Sequence, residues 1–151
     1  MNGYYYIINT LKDNIKKNDF TNTITTGNIF DVDLEKQTIF PLVHIMVNNA
    51  LLSEYTMTLN MSVLFMDIVD ESKSEITDQW LGNDNEEDIL NTQLALVNRL
   101  ISDLLRGDLY GDLVRTSAPI TCEPFVDRFE NKLAGWTVTF DVVVPNDMTI
   151  C

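Results

Sequence analysis

The chain is short of the residue types that most recognisable chemistry needs. It has two cysteines, Cys122 and Cys151, and one histidine, His44. Two cysteines are too few for a disulfide scaffold, and with a single histidine they argue against a His/Cys zinc site. Both thiols are expected to be free, which fits a reducing, intracellular origin. Basic side chains are scarce too: 10 Lys and Arg stand against 23 Asp and Glu, a net charge of -13. Affinity for a phosphate backbone is built from Lys and Arg, so this balance argues against nucleic-acid binding. It is the balance of a soluble acidic protein. No apolar run approaches about 18 residues, so no transmembrane helix is expected. The opening MNGYYYIINTLKDN lacks a basic leader and meets Lys12 and Asp13 early, unlike a signal peptide. GxGxxG, the P-loop, GxSxG, HExxH and CxxC are all missing.

What remains is a pattern. The length of 151 residues predicts a single domain, 1–151, able to bury roughly 70% of its unfolded surface without a metal or disulfide staple. Its centre is Glu54–Asp70. Met57, Leu59, Met61, Val63 and Phe65 alternate there with Thr56, Thr58, Asn60 and Ser62, the period of a strand with one buried and one wet face. Beyond Ser62 the second face turns apolar with Leu64, Met66 and Ile68, so a helix or another subunit must cover it. Trp136–Val144 repeats the alternation, and Pro145-Asn146 should end that strand and begin a short tail, 145–151. Thr38–Val47 is apolar on both faces, with Pro41 at a strand edge or start. His44 within it reads as a hydrogen-bonded packing residue rather than a base, since no nucleophile is signalled nearby. Asn48-Asn49 reads as the following turn.

Two amphipathic helices are predicted. One spans about Gly3–Lys17, with Tyr5, Ile8, Leu11 and Ile15 inward and Lys16 and Lys17 favouring the C-terminal dipole. The other spans about Glu86–Arg106, with Leu90, Leu94, Val97, Ile101 and Leu104 as its stripe, widened by Ile89, Leu100 and Leu105, a cap at Asp84 or Asn85, and a stop at Gly107. Thr21–Phe30 reads as two short strand pieces bent at Gly27, and Val114–Val126, with Pro119 and Pro124, as an edge strand. A polar loop, about 71–85, carries Trp80-Leu81. These two anchor it on the body or contact a partner.

The acidic groups offer little specific chemistry. Asp31, Asp33 and Glu35 alternate with Val32 and Leu34 like a calcium loop, but Lys36 stands where that loop needs glycine. A strand with a charged outer face explains them better. Asp84, Glu86, Glu87 and Asp88 complement a helix dipole, or hold a divalent ion weakly. Asp67, Asp70 and Glu71 could pair as acid and base, but a solvated strand end explains them as well. No catalytic residue, metal or cofactor is assigned.

In this order, FPLVHI (Phe40–Ile45), Met57–Asp67, the helix Asp88–Leu105 and GWTVTFDVVV (Gly135–Val144) resemble the small tail-terminator and head–tail connector proteins of double-stranded DNA phages. The resemblance spans nearly the whole chain and implies an α+β protomer, an antiparallel or mixed sheet backed by two helices. It also implies a virion structural protein without catalytic residues, assembled in the host cytoplasm. Such a protein forms a homo-oligomeric neck ring, six- or twelve-fold, between portal or adaptor and tail proteins. DNA would pass through that ring without being specifically bound, and no membrane is involved. On this reading Trp80 and Leu81 are candidate interface residues, and Asp31, Asp33 and Glu35 candidate lumen-facing acids. A monomeric or dimeric acidic protein-binding module and a carboxylate-based enzyme are the alternatives.

Overall fold

The computed structural model describes residues 3–17, 20–27, 40–69, 86–106, 114–115, 120–128 and 132–146. Two helices, α1 (Gly3–Lys16) and α2 (Glu86–Arg106), pack on one face of a mixed sheet. Its strands are β1 (Thr23–Thr26), β2 (Leu42–Leu52), β3 (Thr56–Ile68), β4 (Val114–Arg115), β5 (Thr121–Arg128) and β6 (Lys132–Pro145). The order across the sheet is β1-β2-β3-β6, and β4 and β5 pair with successive stretches of the outer edge of β6. β1 runs parallel to β2, and the other pairings are antiparallel. The described chain is therefore α+β, as its pattern predicts.

Period-two alternation builds the core. Met57, Leu59, Met61, Val63 and Phe65 stand opposite Val144, Val142, Phe140, Val138 and Trp136 across the β3–β6 ladder. Together with Val43 and Ile45 of β2 they meet Ile7, Ile8, Leu11 and Ile15 of α1 and Leu96, Val97, Leu100 and Leu104 of α2. Each such side chain, fully buried, contributes roughly 1.5–3 kcal/mol. Polar contacts fix the layers: the Asn14 amide donates to Asp103 Oδ2 at 2.9 Å, and Trp136 Nε1 donates to the Leu90 carbonyl at 2.8 Å. Gly135 is obligatory within β6. A Cβ there would lie 1.8 Å from the Phe65 carbonyl oxygen.

Three expectations need correction. On α2, Ile89, Val97, Leu100 and Leu104 of the expected face are buried, but Gln93 and Leu96 join them while Leu94 and Leu105 are 40% and 42% exposed. The apolar positions wrap far enough round this helix that the sheet, not the pattern, decides which side turns inward. On α1, Tyr5 is likewise exposed, and Ile7 and Asn14 are buried instead. Asn48-Asn49 is not a turn. The β2–β3 register slips there, and the strand continues through this bulge to Leu52. The bulge holds because the Asn48 amide donates to Asn60 Oδ1 at 2.9 Å and Ser62 Oγ at 2.8 Å.

Other expectations hold. Pro41 lies just ahead of β2, after a cis bond to Phe40. Pro124 sits in β5, on the outer edge of β6. Gly27 follows β1 at φ 97°, a left-handed conformation that favours glycine. The second strand piece beyond it, the stop at Gly107 and the cap at Asp84 or Asn85 lie outside the described residues. His44 is fully buried and hydrogen-bonded.

The second sheet face divides along its length. At the β3 C-terminal end Phe40, Leu42, Met66 and Leu133 are buried together, with Leu64, Ile68 and Phe125 packed against them. Phe40, Leu42, Met66 and Leu133 are thus covered within one chain, while Leu64, Ile68 and Phe125 are only partly buried.

Two outcomes are expected. Phe140, only 4% exposed, should cost about 3–5 kcal/mol on Phe140→Ala in urea unfolding. A loss below about 1 kcal/mol, far short of that large-to-small range, would contradict the packing. Burial pushes the His44 pKa down, against a smaller upward pull from its bond to the Gly27 carbonyl. The contribution of neutral His44 is thus fully present above the ordinary value of about 6.5. As pH falls below it, the unfolded chain takes up a proton that the folded chain refuses, and stability is lost down to the folded pKa. Asp67, its carboxyl raised by desolvation, acts with the opposite sign as pH falls through its raised value. The imidazole resonances should therefore titrate below about 6.5 in the folded protein. A midpoint at or above that value would refute the argument.

Candidate functional site

Trp80, Leu81, Asp31, Asp33 and Glu35 lie outside the described residues, as do Asp70, Glu71, Asp84 and Cys151. The remaining candidates are placed. His44 Nε2 is 2.8 Å from the Gly27 carbonyl and Nδ1 is 2.6 Å from Thr25 Oγ1. A carbonyl only accepts, so Nε2 carries the proton and the Thr25 hydroxyl donates to Nδ1. With both nitrogens engaged and the ring buried, His44 pins β1 to β2. Burial pushes the Cys122 thiol up, which makes it a poor thiolate. Among the described residues, no group of three His, Cys, Asp or Glu side chains is placed to hold a metal ion.

Two surfaces stand out. The first is the tip of the β2–β3 hairpin. Leu51, Leu52 and Tyr55 are 69%, 70% and 77% exposed. The backbone beneath them is braced. The Ser53 N–H donates to the Thr56 carbonyl, the Thr56 N–H to Ser53 Oγ, and Asn146 gives its N–H to Tyr55 and its amide to the Ser53 carbonyl, all within 2.8–3.0 Å. Three large side chains thus stand together in solvent on a fixed turn, a cluster of the kind found at contact surfaces. Next to the tip, the second face is polar. Asn60 receives a bond from Asn48 and donates to Asp141 Oδ1 at 2.6 Å, and Ser62 lies 3.3 Å from Thr139 Oγ1. This ladder runs across β2, β3 and β6.

The second surface is a pocket of about 240 Å³ at the opposite end of β3. It is lined by Phe20, Pro41, Asp67, Asp88, Ile89, Thr92 and Gln93. It forms where the first turns of α2 pass the last residues of β3 and the entry to β2. Asp67 accepts the Ile68 N–H at 2.8 Å, and desolvation raises its pKa, only partly offset by that bond. Gln93 is 2% exposed and its Oε1 has no hydrogen-bond partner.

No protein-family model matches the chain, and no curated protein shows significant similarity to it. No helix among the described residues is long and apolar enough to cross a membrane.

The sequence reading missed both surfaces. Leu51 and Leu52 fell beyond an assumed turn, although alternation carried on through Asn48 would have reached them. The pocket joins residues from four separate stretches, and of these Pro41, Asp67, Asp88 and Ile89 are singled out in the sequence, each for other reasons. If the tip serves contact and not folding, Leu51→Ser with Tyr55→Ser should leave unfolding free energy unchanged within about 0.5 kcal/mol. A loss of several times that amount would make the tip part of the core.

Proposed function

We propose that this protein is a structural component of a phage virion, forming a homo-oligomeric ring in the neck between portal or adaptor and tail proteins, through which DNA passes. The observation that carries the reading is the braced hairpin tip, a rigid apolar surface that one chain leaves uncovered. The α+β architecture, with two helices on one face of a mixed sheet, is of the kind that the tail-terminator resemblance implies. The charge of -13 suits a passage that must not hold phosphates, and it leaves apolar contacts as the force joining subunits. Trp80 and Leu81 remain candidate partner contacts, and Asp31, Asp33 and Glu35 candidate lumen acids. No reaction is assigned.

A monomeric or dimeric acidic protein-binding module is the second reading, and the acceptor-lined pocket favours it. Light-scattering mass separates the two. A ring held by apolar contacts between like-charged subunits should gain oligomer between about 0.05 and 0.5 M salt, as the screening length shrinks several-fold. The Leu51→Ser, Tyr55→Ser variant should stay monomeric over the same range. Duplex DNA should not shift at low salt, where electrostatic binding is strongest. Salt-induced dissociation or tight low-salt DNA binding would overturn the reading. So would a variant that assembles like the parent.

A further inference from the structure

We propose that the pocket at the head of α2 binds an alkylammonium group, a primary ammonium carried on a short apolar stem. The proposal is independent of the ring reading, since it concerns the other end of the molecule.

The first support is the wall's polarity. Among the described residues that line it, the charged groups are the carboxylates of Asp67 and Asp88, and none is Lys, Arg or His. A ligand entering it must bring hydrogen-bond donors and positive charge. The second support is Gln93. Its side chain is all but fully buried, lines this pocket, and leaves Oε1 without a partner. A buried acceptor left unpaired is costly, and native structures seldom keep one without a reason. A donor from a ligand would satisfy it. Thr92, also in the wall, brings a hydroxyl that can accept as well.

Shape and lining then choose among cations. A bare divalent ion needs several oxygen ligands at about 2.0–2.6 Å, and the described residues bring no third carboxylate to this place. The other described residues of the wall, Phe20, Pro41 and Ile89, are apolar. They suit methylene groups. An engineered cavity of about 150 Å³ takes up benzene, so a pocket of about 240 Å³ has space for a four-carbon amine. The same chemistry is offered by the lysine side chain of a partner and by a free amine.

The test is a two-dimensional NMR titration of the full chain with n-butylammonium chloride. Potassium chloride at matched ionic strength and magnesium chloride serve as controls. Small ligands bind weakly, so a saturable Kd of about 1–10 mM is expected. The moving amides should be those of Ile89, Thr92 and Gln93. Asp67→Asn and Gln93→Met should each weaken binding by about tenfold or more. Gln93→Met should also raise the melting temperature of the free protein, because it removes the unpaired oxygen while keeping an unbranched side chain. A second arm uses Nα-acetyl-lysine N-methylamide. Binding of both probes supports a partner's lysine as the source, and binding of n-butylammonium alone supports a free amine. No saturable shift, affinity unchanged in both variants, tighter binding of magnesium at the same amides, or a lower melting temperature in Gln93→Met would overturn the proposal.

Discussion

The unbroken pairing of β3 with β6 is the constraint on which the rest of the structure depends. It runs from Thr56 opposite Pro145 to Ile68 opposite Leu133 without a shift in register. Because side chains alternate with a period of two, this single alignment decides at once what both faces of the sheet contain. At its dry end the two backbones come so close that only a glycine fits opposite Met66. The next residue, Trp136, then reaches the α2 backbone through its indole nitrogen. Sheet register and helix position are thereby set by neighbouring residues.

The same ladder gives the molecule two unlike ends. One closes on itself: Phe40, Leu42, Met66 and Leu133 are sealed on one face, and the acidic pocket opens on the other. The remote end holds nothing closed. Its apolar groups stand in solvent on a hydrogen-bonded turn, beside a face of Asn, Ser, Thr and Asp. The net charge of -13 opposes self-association, and on the ring reading the apolar groups at that end are what would favour it.

Much of the fold was legible in the sequence because burial imposes period two wherever a strand is covered on one side. β3 and β6 announce themselves in this way, and so does the apolar second face beyond Ser62. The existence of α2 was also plain, but its rotation was not. Its apolar positions, Leu90, Leu94 and Ile101 among them, extend past the side that the sheet covers, and Gln93 takes a buried place that composition assigns to a leucine. Asn48-Asn49 misled for a related reason. Asparagines favour turns in isolation, whereas these are governed by Asn60 and Ser62 on the facing strand. The pocket could not be read at all, since Phe20, Pro41, Asp67 and Gln93 acquire a common meaning only when four stretches of chain converge.

The bulge at Asn48 has a geometrical effect on everything beyond it. Before the slip, odd-numbered residues of β2 share the side of Met61, Val63 and Phe65. After it, Ala50 and Leu52 pair with Leu59 and Met57 on that side, and Leu51 pairs with Thr58 on the other. The one extra residue is a phase shifter inserted between two halves of a single strand. The core half and the tip half are thus read in different frames, and each can change composition without imposing its parity on the other. Were Asn48 to take a regular place opposite Asn60, Leu51 would fall opposite Met57 and exchange direction with Leu52, so that an identical set of tip residues would present a different surface to whatever meets it.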